Sequence, residues 1–217
     1  MNSTDKNNDN RNPSKDFIQE DDLEPKIEIM VDANSGLIKL GYGLEYIASP
    51  NHDLRPNGEL PGLVVVHGIS LPPDEFGGEG ITQLFTNSLD PDEHPYYDAI
   101  KHLKVSAHAL IRRDGEIIQY VPFDKRAWHA GVSEFCGRQR CNDFSIGIEL
   151  EGTDKTPYTA SQYDSLAKLI SALWQAYPSL KDRLVVGHSD IAPGRKTDPG
   201  EYFLWSSLKR MLKIDKI

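Results

Sequence analysis

Two of the seven histidines directly follow short apolar runs: His67 comes after residues 63–66 (LVVV), and His188 after residues 184–187 (LVVG). Runs of this kind suit buried central strands, and the ends of such strands are where α/β sheets usually present ligand sites. A single histidine in that setting is more often structural. Two in the same setting shift the balance toward metal binding, because neutral imidazole is the commonest zinc ligand. Asp198, in RKTDPG, is the candidate third ligand. Pro199 disfavours the helical region for Asp198 and so predicts an extended segment there. Two imidazoles and one carboxylate leave a fourth zinc position open, the arrangement of catalytic rather than structural sites.

Two further residues could move or stabilise charge beside such a metal. Lys196 lies two positions before Asp198, so in an extended chain both side chains leave the same side of the backbone. In DFSIGIELEG, Phe144, Ile146, Ile148 and Leu150 alternate with Ser145, Gly147, Glu149 and Glu151. Glu149 therefore points away from the apolar layer, over a glycine that leaves room for a substrate, as a general base requires. The alternative is a solvated sheet edge, and spacing by itself does not link Glu149 to the histidines.

The elements that must carry these residues are short. IEIMV and GLIKLG read as strands around a turn at residues 34–36, and LVVV and RLVVG as buried strands. SAHALIRRDGEIIQYVPF reads as a hairpin with Asp114 and Gly115 at its turn. Residues 77–87 hold one short helix at most. SLPPDEFGG and DPDEHPYY read as long surface loops, which in a compact domain are more often functional than idle. YTASQYDSLAKLISALWQAYP is the clearest helix: Thr159 and Gln162 fit a capping box. Tyr163, Leu166, Ile170, Leu173 and Tyr177 recur at helical spacing, and Pro178 marks the end. YFLWSSLKRMLK closes the chain as an amphipathic helix. Strands and helices alternate only in part, which predicts an α/β fold built on a single mixed β-sheet flanked by helices.

Composition narrows the function. With 33 acidic against 24 basic residues the formal net charge is −9, which argues against wholesale nucleic-acid binding. No apolar run approaches the roughly 20 residues needed to span a bilayer. The N-terminus lacks the apolar core of an export signal, so the expected location is the cytoplasm. Residues 1–26 contain only Met1, Phe17, Ile18 and Leu23 as sizeable apolar side chains. They read as a disordered polar tail ahead of one domain at 27–217. Cys136 and Cys141, in CGRQRC, read as a reduced pair, with a disulfide or half a metal site as alternatives.

The motifs HGISLPPDEFGG, VSAHALIRRDGEIIQYVPFDKRAWHAGVS, RCNDFSIGIELEGTD and GHSDIAPGRKTDPG, in that order, resemble the AmpD-type amidases. These are cytosolic N-acetyl-anhydromuramoyl-L-alanine amidases of peptidoglycan recycling, in the superfamily of zinc amidases and peptidoglycan recognition proteins. The resemblance spans roughly residues 36 to 213. It implies one zinc ion per chain on His67, His188 and Asp198, with Glu149 as catalytic acid/base and Lys196 as the electrophilic lysine. It further implies an anhydromuramoyl-peptide substrate, with Arg140 meeting the peptide carboxylate, Lys104 standing where the family more often has Arg, and His108 and His129 near the cleft, packing or loop support being the alternative for both histidines. Gly68 stands where an amide side chain commonly follows the first histidine. His52, His94 and His102 remain as surface residues. No nucleic acid, membrane or obligatory protein partner is implied.

Two rivals carry their own signatures. A zinc-free module of the same fold that only binds wall fragments would have lost the third ligand, and Asp198 is present beside Glu149 and Lys196. An amidase acting on intact wall outside the membrane would need an export signal.

Overall fold

The structure, a computed structural model, describes residues 28–39 and 44–214. The expected polar tail at 1–26 lies outside the described residues. The chain opens with β1 (Met30–Asp32) and β2 (Leu37–Lys39), an antiparallel ribbon. It continues through β3 (Leu44–Tyr46), β4 (His52–Leu54) and β5 (Leu63–Ile69). Helices α1 (Gly80–Thr86) and α2 (Pro95–Ile100) precede the hairpin β6 (Ala109–Ile111) and β7 (Ile117–Gln119). Then follow β8 (Lys125–Ala127), β9 (Glu134–Phe135), β10 (Arg138–Gln139) and β11 (Ser145–Glu151). Helix α3 (Ala160–Ala176), β12 (Val185–Gly187), α4 (His188–Ile191) and α5 (Trp205–Leu212) complete the order.

Six strands form the main sheet, in the order β12-β5-β11-β6-β7-β3. Every neighbouring pair is parallel except the β6–β7 hairpin. The mixed sheet is as the alternation pattern predicts. Strand β5 is apolar on both faces because both are covered, and Val64, Val65 and Val66 are all fully buried. Val64 and Val66 join Ile146, Ile148 and Leu150 of β11 beneath α3, which contributes Leu166, Leu169, Ile170 and Leu173. The opposite face of the sheet therefore carries His67, Glu149 and Ser145. Along the same sheet, Leu110 and Ile118 pack with Ile81, Leu84 and Phe85 of α1.

Helix α3 starts where the capping residues place it. Gln162 N–H donates to Thr159 Oγ1 and Thr159 N–H donates to Gln162 Oε1, each at 3.1 Å. Gln162 Nε2 also donates to the carbonyls of Ile111 (3.2 Å) and Glu151 (2.8 Å). One buried amide thus ties the helix start to the ends of β6 and β11. Glycine at 115 supplies the positive φ that the hairpin turn needs. Helix α2 departs from the loop expected in DPDEHPYY. Pro95 occupies its first turn and His94 Nδ1 accepts from Tyr96 N–H at 3.0 Å, a proline-and-cap start hidden among loop-forming residues.

Candidate active site

His67 is the fifth residue of β5 and is 1% exposed, so the strand runs on past it instead of ending there. Parallel register sets Glu149 of β11 directly beside it. His188 begins α4 immediately after β12, and the Gly187 N–H at this junction donates to Asp190 Oδ2 at 2.7 Å. The segment that delivers Asp198 is a series of turns, not the extended chain expected before Pro199. Arg195 and Lys196 N–H groups both reach the Ala192 carbonyl (3.1 and 3.0 Å), and Gly200 N–H reaches Thr197 O (3.0 Å). Ser189 N–H then donates to the Asp198 carbonyl at 3.0 Å and folds the segment back over His188. Lys196 and Asp198 do meet on one cavity wall, but turns bring them there, not alternation.

The three candidate ligands converge. His67 Nδ1 lies 2.9 Å from His188 Nδ1 and 3.2 Å from Asp198 Oδ2, and His188 Nδ1 lies 3.0 Å from the same oxygen. A tetrahedral ion with bonds of about 2.0–2.1 Å separates its ligands by about 3.3 Å, so this triangle fits zinc after a few tenths of an ångström of opening. The proton on His188 is fixed. Its Nε2 faces the Ala130 carbonyl at 3.1 Å, which can only accept, so Nε2 carries the hydrogen and Nδ1 presents its lone pair. Arg195 Nη2 is 3.4 Å from Nε2 but directs its own N–H at the same carbonyl, at 2.6 Å.

Burial pulls the His67 pKa down to about 4, so this imidazole is neutral at pH 7 and free to act as a ligand. Burial pushes the Asp198 carboxyl up, yet its close contacts with His188 and His67 outweigh it and hold the group well below the usual carboxylate range. Two imidazole nitrogens and a carboxylate oxygen aimed at one point are set to hold a cation between them.

Beside the triad lies a cavity of about 270 Å³. His188, Asp198, Lys196 and Glu149 are among its polar lining, and Leu71, Phe85, Ile100 and Trp128 are among its apolar walls. Glu149 is 9% exposed, and its Oε2 has no hydrogen-bond partner among the described residues. Burial, reinforced by the Asp198 charge and opposed by Lys196, raises its pKa well above the ordinary value of 4.5. A carboxyl held this way takes up a proton more readily than an exposed one, as a general base must. A larger groove of about 560 Å³, bordered by Ile29, Asp164, Ala172 and Met211, includes none of these groups.

The N-acetylmuramoyl-L-alanine amidase family matches residues 57–201, the stretch that contains the triad, Glu149 and Lys196. The chain belongs to this family. It is 62% identical to the 1,6-anhydro-N-acetylmuramyl-L-alanine amidase AmpD of Enterobacter cloacae, over 77% of this chain and 89% of that protein. To the AmpD of Escherichia coli (strain K12) it is 60% identical, over 77% and 91%. A crystal structure of a selenomethionine AmpD derivative superposes with a TM-score of 0.79 at 55% identity, covering 84% of this chain and 99% of that one.

The remaining candidates of this amidase are placed differently from one another. His129 reaches the cavity, but its ring nitrogens are taken up by His67 (2.9 Å) and Ser145 (3.2 Å). The space over Gly147, expected to admit substrate, is filled by that ring: a Cβ on Gly147 would run into the imidazole. His108 does not reach the cavity. It is fully buried; its Nδ1 accepts from Gly147 N–H (3.0 Å), and its Nε2 faces the Lys125 carbonyl (3.1 Å) and Arg55 (3.3 Å). Burial lowers its pKa to about 3, and its hydrogen bonds give it the framework position that was the alternative to contact at the cleft. Arg140 is exposed, pairs with Asp143 at 3.2 Å and borders a neighbouring groove with Arg195 and Val132. Lys104 is exposed, next to cavity residues Leu103 and Val105.

Gly68 is where it is because Tyr158 packs over it: a Cβ would meet the Tyr158 hydroxyl, which donates to the Pro199 carbonyl at 2.9 Å. Of the histidines read as surface residues, His102 is exposed and His52 and His94 are half-buried. Both cysteines are free thiols, Cys136 exposed and Cys141 buried. Sequence reasoning passed over Ser145 and Asn142. Ser145 shares the Glu149 face of β11 and was within reach of the alternation pattern. Asn142 Oδ1, which accepts from the N–H groups of His129 (3.1 Å) and Ala130 (2.8 Å), had no such signal.

Proposed function

We propose that the protein hydrolyses the amide between anhydro-N-acetylmuramic acid and L-alanine in muropeptides, in a zinc-dependent reaction serving peptidoglycan recycling. The observation that carries this reading is the convergence of His67 Nδ1, His188 Nδ1 and Asp198 Oδ2 within 3.2 Å, beside a cavity that holds an unpartnered Glu149. The substrate comes from the AmpD relatives, whose names specify it. His67, His188 and Asp198 would hold the ion. Zinc there supplies Lewis acidity, which polarises the scissile carbonyl and eases deprotonation of a water.

The chain's own groups do the rest. Glu149 accepts the proton of the attacking water and returns it to the alanine nitrogen, which must leave as a neutral amine. Its raised pKa makes it hold that proton more tightly than an exposed carboxylate would. Lys196 directs positive charge at the carbonyl oxygen as it becomes an oxyanion; removing one such donor typically costs roughly 10²–10³ in turnover. The apolar walls at Leu71, Phe85 and Trp128 exclude water from around these charges and strengthen them. Arg140, and Lys104 more weakly, serve the peptide carboxylates, where a guanidinium can form two parallel bonds. Incubating the protein with anhydromuramoyl-tripeptide should release free tripeptide, and a zinc chelator should abolish the release. Turnover that persists after complete zinc removal would sink the metal-dependent reading.

A further inference from the structure

The hydrogen bonds behind His67 form a chain whose proton positions can be counted. Ser145 Oγ lies 2.6 Å from the Cys141 carbonyl, which can only accept, so the hydroxyl hydrogen points there. Ser145 Oγ then offers only lone pairs to His129 Nε2 at 3.2 Å, so Nε2 carries the hydrogen. A neutral imidazole carries a single N–H, and Ser145 holds that of His129 at Nε2. Its Nδ1 is therefore bare and accepts from His67 Nε2 at 2.9 Å. His67 keeps its hydrogen on Nε2, which leaves Nδ1 unprotonated, facing His188 and Asp198.

The imidazole at 129 is held on every side. Asn142 grips its backbone N–H and that of Ala130. Gly147 lies flat beneath the ring, where any side chain would collide. The neighbouring Ala130 carbonyl takes the Nε2 hydrogen of His188. One short segment thus sets the tautomer of both imidazole ligands. A metal-binding histidine usually gives its second N–H to a carboxylate, a carbonyl or water. Here the acceptor for His67 is another imidazole, which works only while something else dictates which nitrogen of that ring is bare.

We propose that His129, oriented by Ser145 and wedged over Gly147, is a positioning residue that fixes His67 as the Nε2–H tautomer and so presents Nδ1 to the metal. The inference rests on the metal-binding reading above, and its test is read from zinc affinity and proton position instead of turnover. His129→Phe keeps the ring and removes the acceptor; zinc affinity, measured by chelator competition, should fall roughly 10–100-fold. His129→Asn, whose amide oxygen can take the place of Nδ1, should recover most of that loss. Ser145→Ala, a smaller change, should also weaken zinc by freeing the His129 tautomer. In the zinc-loaded parent, nitrogen-15 NMR should show a hydrogen-bonded proton on His67 Nε2 and a bare His129 Nδ1.

Parent-like affinity in both His129→Phe and Ser145→Ala would overturn the inference, as would a proton found on His129 Nδ1. Thermal unfolding of the metal-free variants separates a lost fold from a lost ligand, and the NMR assignment on the parent needs no variant. A parent that binds no zinc would instead overturn the metal-binding reading beneath it.

Discussion

Glu149 stands directly across from His67 in the register of the parallel pair β5–β11. The distance between the proposed proton carrier and this candidate metal ligand is therefore set by a backbone ladder at the centre of the sheet, while Asp198 and Lys196 arrive on turns. This division leads to the first expected outcome. Glu149→Gln preserves shape and leaves the triad in place, so zinc content should match the parent. Turnover should drop by about 10²–10⁴, the usual worth of positioned proton transfer. Metal analysis beside initial rates checks both halves, and a parent-like rate would remove Glu149 from the mechanism.

The same carboxyl should cost the fold stability. Its pKa in the folded protein lies above the ordinary 4.5, because burial and the Asp198 charge penalise ionisation. Below about pH 4.5 both the folded and unfolded forms are protonated and there is no penalty. As pH rises from there the unfolded chain ionises freely while the folded one resists, so parent stability declines until the folded pKa is passed. In metal-free protein Glu149→Gln should therefore unfold at a higher temperature than the parent, by a margin that is absent at low pH and widens upward. A constant margin across pH would show that the carboxyl ionises unhindered.

Much of this site was legible in the sequence, for physical reasons that also mark where legibility ended. LVVV and LVVG announce strands buried on both faces, and a histidine directly after each run is a strong pointer because buried polar groups need a purpose. Alternation in DFSIGIELEG put Glu149 on the right face, but strand order was beyond it, so the partnership with His67 needed the sheet. Alternation gave the right neighbours for the wrong reason at Lys196 and Asp198, since RKTDPG is held by turn hydrogen bonds to Ala192 and Thr197. Gly147 looked like space for a substrate. An absent side chain shows only that something comes close, and here it is His129. His108 shows the same limit from the other side: its motif placed it near the cleft, yet both of its nitrogens serve the framework.

Gly147 itself gives a sharp expectation. In Gly147→Ala the new methyl meets the His129 ring, which must tilt and lose its contacts to His67 or Ser145. Zinc affinity should fall even though Gly147 touches no metal ligand. Combined with His129→Asn, whose shorter side chain relieves the collision, the same methyl should cost much less. The double-mutant cycle would thus show a large coupling between the two positions. Additive effects would mean that the glycine is needed for backbone reasons alone.

Lys196 and Arg140 separate rate from binding. Lys196 lines the cavity with Asp198, and on the proposed mechanism the charge it meets develops only as the carbonyl is attacked. Lys196→Met should leave substrate affinity near the parent value and lower turnover by about 10²–10³. Arg140 is exposed beside a separate groove, and the proposed contact with the peptide carboxylate would be made equally in ground and transition states. Arg140→Ala should therefore raise the dissociation constant and KM with little change in kcat. Calorimetry with an uncleaved substrate on Glu149→Gln backgrounds, set against initial rates on the single variants, measures the two effects independently. Should Arg140→Ala lower kcat at unchanged KM, the arginine belongs to the reacting centre and the peptide must be held elsewhere. Should Lys196→Met weaken binding as much as rate, its ammonium is a ground-state contact, and stabilising the oxyanion falls to the metal alone.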